Sequence, residues 1–76
     1  ESTAKSLIKV YPTVATTEVR MDFPMTMINT RMQVTDMNGR VLYNGNVSNR
    51  IDVSSYTAGM YIIRFENGQT VKIIKQ

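Results

Sequence analysis

The chain lacks cysteine, histidine and tryptophan, and it has only two prolines and four glycines in 76 residues. Without cysteine, neither a disulfide framework nor a thiolate metal site can support so small a core. Without histidine and cysteine, the commonest general base and the most reactive nucleophile are both missing. These absences disfavour an enzyme, and we expect no catalytic residue.

The chain also lacks an apolar run of the roughly 20 residues that a membrane-crossing helix needs. We therefore expect no membrane span. Because the first residue is Glu1 and not methionine, we expect a piece of a longer protein. Residues 1–6 are polar and are predicted to be the end of a linker, and residues 7–76 are predicted to form one domain.

No strong charge cluster is present. Nine basic residues, spread from Lys5 to Lys75, and six acidic residues give a net charge of +3. This spread is typical of a solvated surface and does not indicate nucleic-acid binding. Five of the carboxylates are spread over four predicted strands, and none forms a calcium loop. We expect neither a metal site nor a cofactor.

Apolar and polar residues alternate with a period of two in several short segments. In residues 17–23, Val19, Met21 and Phe23 are separated by charged residues. Residues two apart point to the same face of a strand but lie on opposite sides of a helix. The alternation therefore predicts strands with one buried face.

About seven strands are expected from this pattern and from the turn residues between them. Seven short strands at regular spacing predict an all-β fold, an immunoglobulin-like sandwich of antiparallel strands. The expected strands are Leu7–Tyr11, Thr17–Phe23, Thr30–Met37, Arg40–Tyr43, Arg50–Ser54, Met60–Glu66 and Gln69–Lys75.

Asparagine–glycine pairs mark the predicted turns. Asn38-Gly39 and Asn67-Gly68 are dipeptides preferred in type I′ hairpin turns, where residues need positive φ. Asn44-Gly45-Asn46 predicts a further turn. Gly39 and Gly68 are therefore expected at positive φ.

Six methionines are available for packing. Met21 and Met32 lie on apolar faces and are predicted to be in the core. Met25 and Met27 are also assigned to packing, although exposed methionines would suit an adaptable binding surface.

Four short motifs occur in a fixed order along the chain: Val10-Tyr11-Pro12, then Asp36-Met37-Asn38-Gly39-Arg40, then Gly59-Met60-Tyr61-Ile62-Ile63, and finally Val71-Lys72-Ile73-Ile74-Lys75. In this order and spacing they resemble the C-terminal sorting domains of the type IX secretion system of Bacteroidetes. One departure is that Thr13-Val14 replaces the Asn-Pro that usually follows Tyr-Pro. The family-motif residues are Tyr11, Pro12, Asp36, Gly39, Arg40, Gly59 and Tyr61.

The resemblance implies a secretion signal and not an enzyme. Such domains direct a parent protein from the periplasm through an outer-membrane translocon to the cell surface. There a sortase-like transpeptidase removes the domain and joins the cargo to an anionic lipopolysaccharide, or the domain is retained as part of the surface machinery. The implied partners are proteins, namely the translocon or shuttle proteins and the transpeptidase.

The resemblance also places partner binding in the last strand, at Val71, Lys72, Ile73, Ile74 and Lys75. This strand could present an edge for strand addition, with Val71, Ile73 and Lys75 contacting a partner groove. Lys72 and Lys75 are taken as outward charges. The domain is expected to be a monomer or a strand-exchanged dimer.

Two other classes stay open. A fibronectin-like or carbohydrate-binding accessory module would share the sandwich and would need exposed aromatic residues, for which Tyr11, Tyr43 and Tyr56 are the candidates. An enzyme fragment is the third class and has the least support.

Overall fold

The computed structural model describes residues 8–76. In this range it has eight strands and one turn of 3-10 helix, Met25–Met27. The strands are β1 (Lys9–Tyr11), β2 (Val14–Ala15), β3 (Glu18–Asp22), β4 (Arg31–Asp36), β5 (Val41–Asn46), β6 (Arg50–Asp52), β7 (Gly59–Phe65) and β8 (Thr70–Lys75). The linker expected at residues 1–6, and Leu7 of the first expected strand, lie outside the described residues.

The strands form two sheets. One has three strands in the order β1-β3-β6, and the other has five in the order β2-β8-β7-β4-β5. Every pair is antiparallel except β2 with β8, which is parallel. The prediction of an all-β sandwich is confirmed, with one short strand more than expected in the described part of the chain.

The core lies between the two sheets and follows from the period-two alternation. In β3, Val19 and Met21 are buried, and Arg20 between them is exposed. In β4, Met32 and Val34 face them from the other sheet. Each such side chain contributes about 1.5–3 kcal/mol when fully buried. The prediction for Met21 and Met32 is confirmed.

The two methionines of the 3-10 turn, Met25 and Met27, differ in burial. Met27 is buried, whereas Met25 is 78% exposed. Packing was therefore predicted correctly for Met27 and wrongly for Met25. A single turn has one inward side, and Met27 occupies it.

Strand β2 was missed because two residues are too few to show alternation. Pro12 and Thr13 carry the chain from β1 in one sheet to β2 in the other. The Ile74 amide donates to the Thr13 carbonyl at 2.7 Å, and the Gln76 amide donates to the Ala15 carbonyl at 2.9 Å. The C-terminal half of β8 is thus covered by β2 on one side and by β7 on the other.

Both asparagine–glycine hairpins have three-residue loops, so the prediction of two-residue type I′ turns was wrong. In the first, the Gly39 amide donates to the Asp36 carbonyl at 3.1 Å and the Asp36 amide to the Arg40 carbonyl at 3.0 Å. This is the bonding of a turn followed by a residue in the left-handed region. Gly39 (φ +87°) and Gly68 (φ +97°) occupy that region, as predicted.

Residues 44–46 belong to β5 and not to a turn, which corrects that prediction. Asn44 pairs with Gln33 and Asn46 pairs with Arg31. Gly45 has a packing role, because a Cβ there would lie 3.0 Å from the hydroxyl of Tyr43. That hydroxyl donates to the Asn46 carbonyl at 2.8 Å.

Candidate functional site

Three of the four sequence motifs meet at one end of the five-stranded sheet. Asp36, at the end of β4, pairs with Tyr61 near the start of β7. Tyr61 pairs with Ile73 of β8, and Gly59 pairs with Lys75. Since β4 and β8 both run toward this end and β7 starts from it, we call it the motif end.

The first motif leads into the same end from the other sheet. Tyr11 is 42% exposed on β1, and its hydroxyl donates to Asp22 Oδ1 at 3.1 Å. This bond to the carboxylate is the main reason that the pKa of Tyr11 is raised. Pro12 is exposed and stands directly before Thr13, whose carbonyl binds the Ile74 amide. Pro12 thus lies where the first motif joins the last strand.

Asp36 closes the first hairpin. Its Oδ1 accepts hydrogen bonds from the amides of Asn38 and Arg40, each at 2.9 Å. Arg40 has a side chain that is 75% exposed, and its Nε is 4.0 Å from Asp36 Oδ2. A pair this open contributes little to stability. The carboxylate of Asp36 therefore orders the backbone of the loop, and the side chain of Arg40 remains largely exposed to solvent.

Tyr61 holds the loop between β6 and β7 against the sheet. It is only 5% exposed, and its hydroxyl donates to the Thr57 carbonyl. The ring of Tyr56 lies with its centroid 5.1 Å from that of Tyr61. Burial is the main cause that raises the pKa of Tyr56. A buried tyrosine hydroxyl needs a partner, and here the partner is the backbone of the loop.

The same loop is fixed at its start by Asp52. The Ser54 hydroxyl donates to Asp52 Oδ1 at 2.6 Å, and the Ser54 amide donates to the same oxygen at 2.9 Å. These two bonds lower the pKa of Asp52 below its usual value, with the hydroxyl contributing most.

A shallow groove of about 530 Å³ runs between the hairpin and this loop. Asp36, Arg40, Tyr56 and Tyr61 are among its lining residues. Among the residues that the structure describes, no buried side-chain nitrogen or oxygen lacks a hydrogen-bond partner.

The predicted partner-binding residues of β8 divide between the two faces of the sheet. Ile73 is 2% exposed and belongs to the core, and Val71 is half-buried against it. Lys75 is half-buried on the same face as Ile73, at the rim. Lys72 and Ile74 point outward and are exposed. The two lysines therefore do not share a face, and Ile73 is not accessible in the folded domain.

A feature that sequence reasoning missed lies on the outer face of the five-stranded sheet. Val14 pairs with Ile74, and Ile74 pairs with Met60, so these three side chains form one row across β2, β8 and β7. They are 46%, 39% and 37% exposed, respectively. We call them the outer apolar row. The signal in the sequence is that β7 is apolar on both of its faces, at Met60, Tyr61, Ile62 and Ile63.

The described residues contain no group of three or more histidine, cysteine, aspartate or glutamate residues placed to hold a metal ion. Within the same residues, no helix has the length and apolar character needed to cross a membrane.

The three tyrosines that would serve an accessory module do not form one exposed platform. Tyr11 lies on the three-stranded sheet, Tyr43 packs against the core, and Tyr56 packs against Tyr61.

Comparison with protein families gives a match over most of the chain. The model described as "Secretion system C-terminal sorting domain" covers residues 9–76. Curated proteins and solved structures gave no match.

Proposed function

The chain belongs to the family of secretion system C-terminal sorting domains, and from this premise we propose how its signal is read. The family assignment makes it a C-terminal sorting signal of type IX secretion, and its destination is the cell surface or the extracellular space. The observation that carries the proposal is the motif end, where three motifs meet and the last strand presents Lys72 and Ile74 on its outer face.

In the proposed route, the parent protein is in the periplasm when the domain folds and is recognised. A translocon or shuttle protein then binds the folded domain and passes the parent protein through the outer membrane. At the surface, a sortase-like transpeptidase removes the domain, or the domain is retained as part of the surface machinery. The domain acts throughout as a ligand of other proteins.

Within the predicted tail segment, the outward positions of β8 are best placed for this recognition. Lys72 and Ile74 are exposed, and the strand that carries them is held on both sides by β2 and β7. A partner can thus contact these side chains without opening the fold. Ile73 and Val71 support the strand from the core side.

Export of a reporter tests the proposal. Residues Glu1–Gln76 are fused to the C-terminus of a periplasmic reporter in a Bacteroidetes host, with the translocon either active or inactivated. We expect surface or extracellular reporter only when the translocon is active. Lys72→Glu should reduce export by roughly threefold to tenfold, because it removes a positive charge from the encounter surface.

The matched control is Lys9→Glu, which reverses an exposed lysine on the other sheet and should leave export within about twofold of wild type. Both variants should keep the thermal unfolding midpoint, since exposed charges contribute little to stability. A wild-type fusion that stays in the periplasm would refute the sorting function. Equal export of both variants would show that no partner recognises the charge of Lys72.

A further inference from the structure

Exposed apolar side chains on the five-stranded sheet extend beyond the outer apolar row. Ile62 lies two residues from Met60 on the same strand and so shares its face. Ile62 pairs with Thr35, and Thr35 pairs with Val41 on β5. Val41 is 47% exposed and Ile62 is half-buried. We call the row and these two residues, which lie on either side of Thr35, the outer apolar patch.

Charge is distributed unequally between the two sheets. The outer face of the three-stranded sheet carries three cations and three carboxylates: Lys9, Arg20, Arg50, Glu18, Asp22 and Asp52. Several of them pair, as Arg20 does with Glu18 at 2.9 Å. The positive excess of the described residues therefore lies on the five-stranded sheet and its hairpins.

Cations border the outer apolar patch directly. Lys72 pairs with Ile62 across the strands and lies two residues from Ile74. Arg64 lies two residues from Ile62 on the same strand, so the two side chains share a face. Glu66 is at the far end of the sheet, where it accepts a hydrogen bond from the Arg31 amide at 3.0 Å. The patch is thus apolar with a positive border.

We infer that the outer apolar patch is a docking surface for a protein segment that presents apolar side chains with carboxylates beside them. The inference rests on the proposed function, since it identifies the kind of partner that reads the signal. Carboxylates opposite Lys72 and Arg64 would complement the positive border, and apolar side chains would cover Val14, Ile74 and Met60. Met60, at the β7 end of the row, has a flexible side chain that adapts to different partner shapes.

Two other occupants fit these observations less well. A second copy of the chain would bring two positive sheet faces together, which like-charge repulsion opposes. A membrane surface favours tryptophan or tyrosine at the contact, whereas the five residues of the patch are all aliphatic or methionine. A protein partner with acidic residues meets both the apolar and the charged character of the patch.

The test removes apolar character from the patch without touching a family-motif residue. In the reporter fusion, Val14→Thr combined with Met60→Gln keeps the approximate size of both side chains. Export should fall by about tenfold or more, because buried apolar anchors dominate binding energy in protein interfaces. The matched control is Met25→Gln with Ile28→Thr, which changes two exposed apolar residues near the 3-10 turn and should leave export within about twofold.

A second variant guards against loss of folding. Val41→Thr with Met60→Gln leaves the short strand β2 unchanged, and its thermal midpoint should stay within about 4 °C of wild type. Normal export of either patch variant, with wild-type export intact, would overturn the inference and leave the sorting function standing. Failure of wild-type export would instead refute the sorting function.

The other occupants are tested with the purified full chain. Sedimentation at high concentration should show a monomer, and the chain should not float with vesicles of phosphatidylethanolamine and phosphatidylglycerol. A dimer that Val14→Thr with Met60→Gln dissociates would overturn the inference in favour of self-association. Vesicle binding that the same variant abolishes would overturn it in favour of a membrane surface.

Discussion

The carboxylate of Asp36 accepts two backbone hydrogen bonds, so replacing it should mainly affect the stability of the first hairpin. Asp36→Ala removes the bonds from the amides of Asn38 and Arg40, both 2.9 Å long. A hydrogen bond contributes about 1 kcal/mol net, and these amides lie in an exposed loop where water can replace the acceptor. The expected loss in the free energy of unfolding is about 1–2 kcal/mol.

Asp36→Asn is the matched variant. Asparagine keeps an acceptor oxygen at the same position and loses only the charge. The ion pair with Arg40 is 4.0 Å long and exposed, so its loss should cost no more than about 0.5 kcal/mol. For a domain of this size, 1 kcal/mol corresponds to about 4–8 °C in the unfolding midpoint.

Urea denaturation and thermal unfolding of the three proteins measure these differences, and the reporter assay is run beside them. If Asp36 acts through the loop, the asparagine variant should be nearly as stable as wild type and should be exported normally. Equal destabilisation by alanine and asparagine would refute the hydrogen-bond argument. A folded asparagine variant that is not exported would show that a partner reads the carboxylate itself.

Two further predictions concern backbone conformation and acid stability. Gly39→Ala and Gly68→Ala should each lower the free energy of unfolding by about 1 kcal/mol. The reason is the positive φ of both glycines, since no atom lies within 4 Å of the added Cβ to cause a clash. An unchanged urea midpoint in either variant would contradict this reasoning. Hydrogen bonds from Ser54 lower the pKa of Asp52 in the folded state. At a pH above the pKa that Asp52 has in the unfolded chain, its ionised carboxylate therefore stabilises the fold. This stabilisation is lost as the pH falls through the pKa of the folded state. Below about pH 4, wild type should therefore lose stability more steeply than Asp52→Asn, and identical acid profiles in urea titrations would refute the assignment.

The alternating strands and the turn glycines could be predicted because both follow from local rules. Burial of Val19, Met21 and Met32 requires only that one face of each strand meets the other sheet. Positive φ at Gly39 and Gly68 requires only a tight turn. Loop length was not predictable in the same way, because an asparagine–glycine pair serves both two-residue and three-residue loops.

Residues 14–15 and 44–46 are strands because of their pairing with distant strands, which the local sequence does not show. Val14 and Ala15 are a strand only because β8 is beside them. Residues 44–46 carry turn-forming side chains, yet hydrogen bonding to β4 holds them extended. Local propensity is weaker than such pairing, so no reading of these residues in isolation could have placed them.

Several motif residues have a structural role, although Tyr11, Pro12 and Arg40 are also exposed. Asp36 orders a loop, Tyr61 anchors another, and Ile73 fills the core. A folded signal can be read only through side chains that a partner reaches, and at the motif end these include Met60 and Ile74, which stand next to core positions in the sequence. The motifs therefore contribute both to the fold and to its accessible surface. The pairing of β2, β8 and β7 establishes which side chains of each strand point outward. This orientation determines which neighbours of the motif residues are available for recognition.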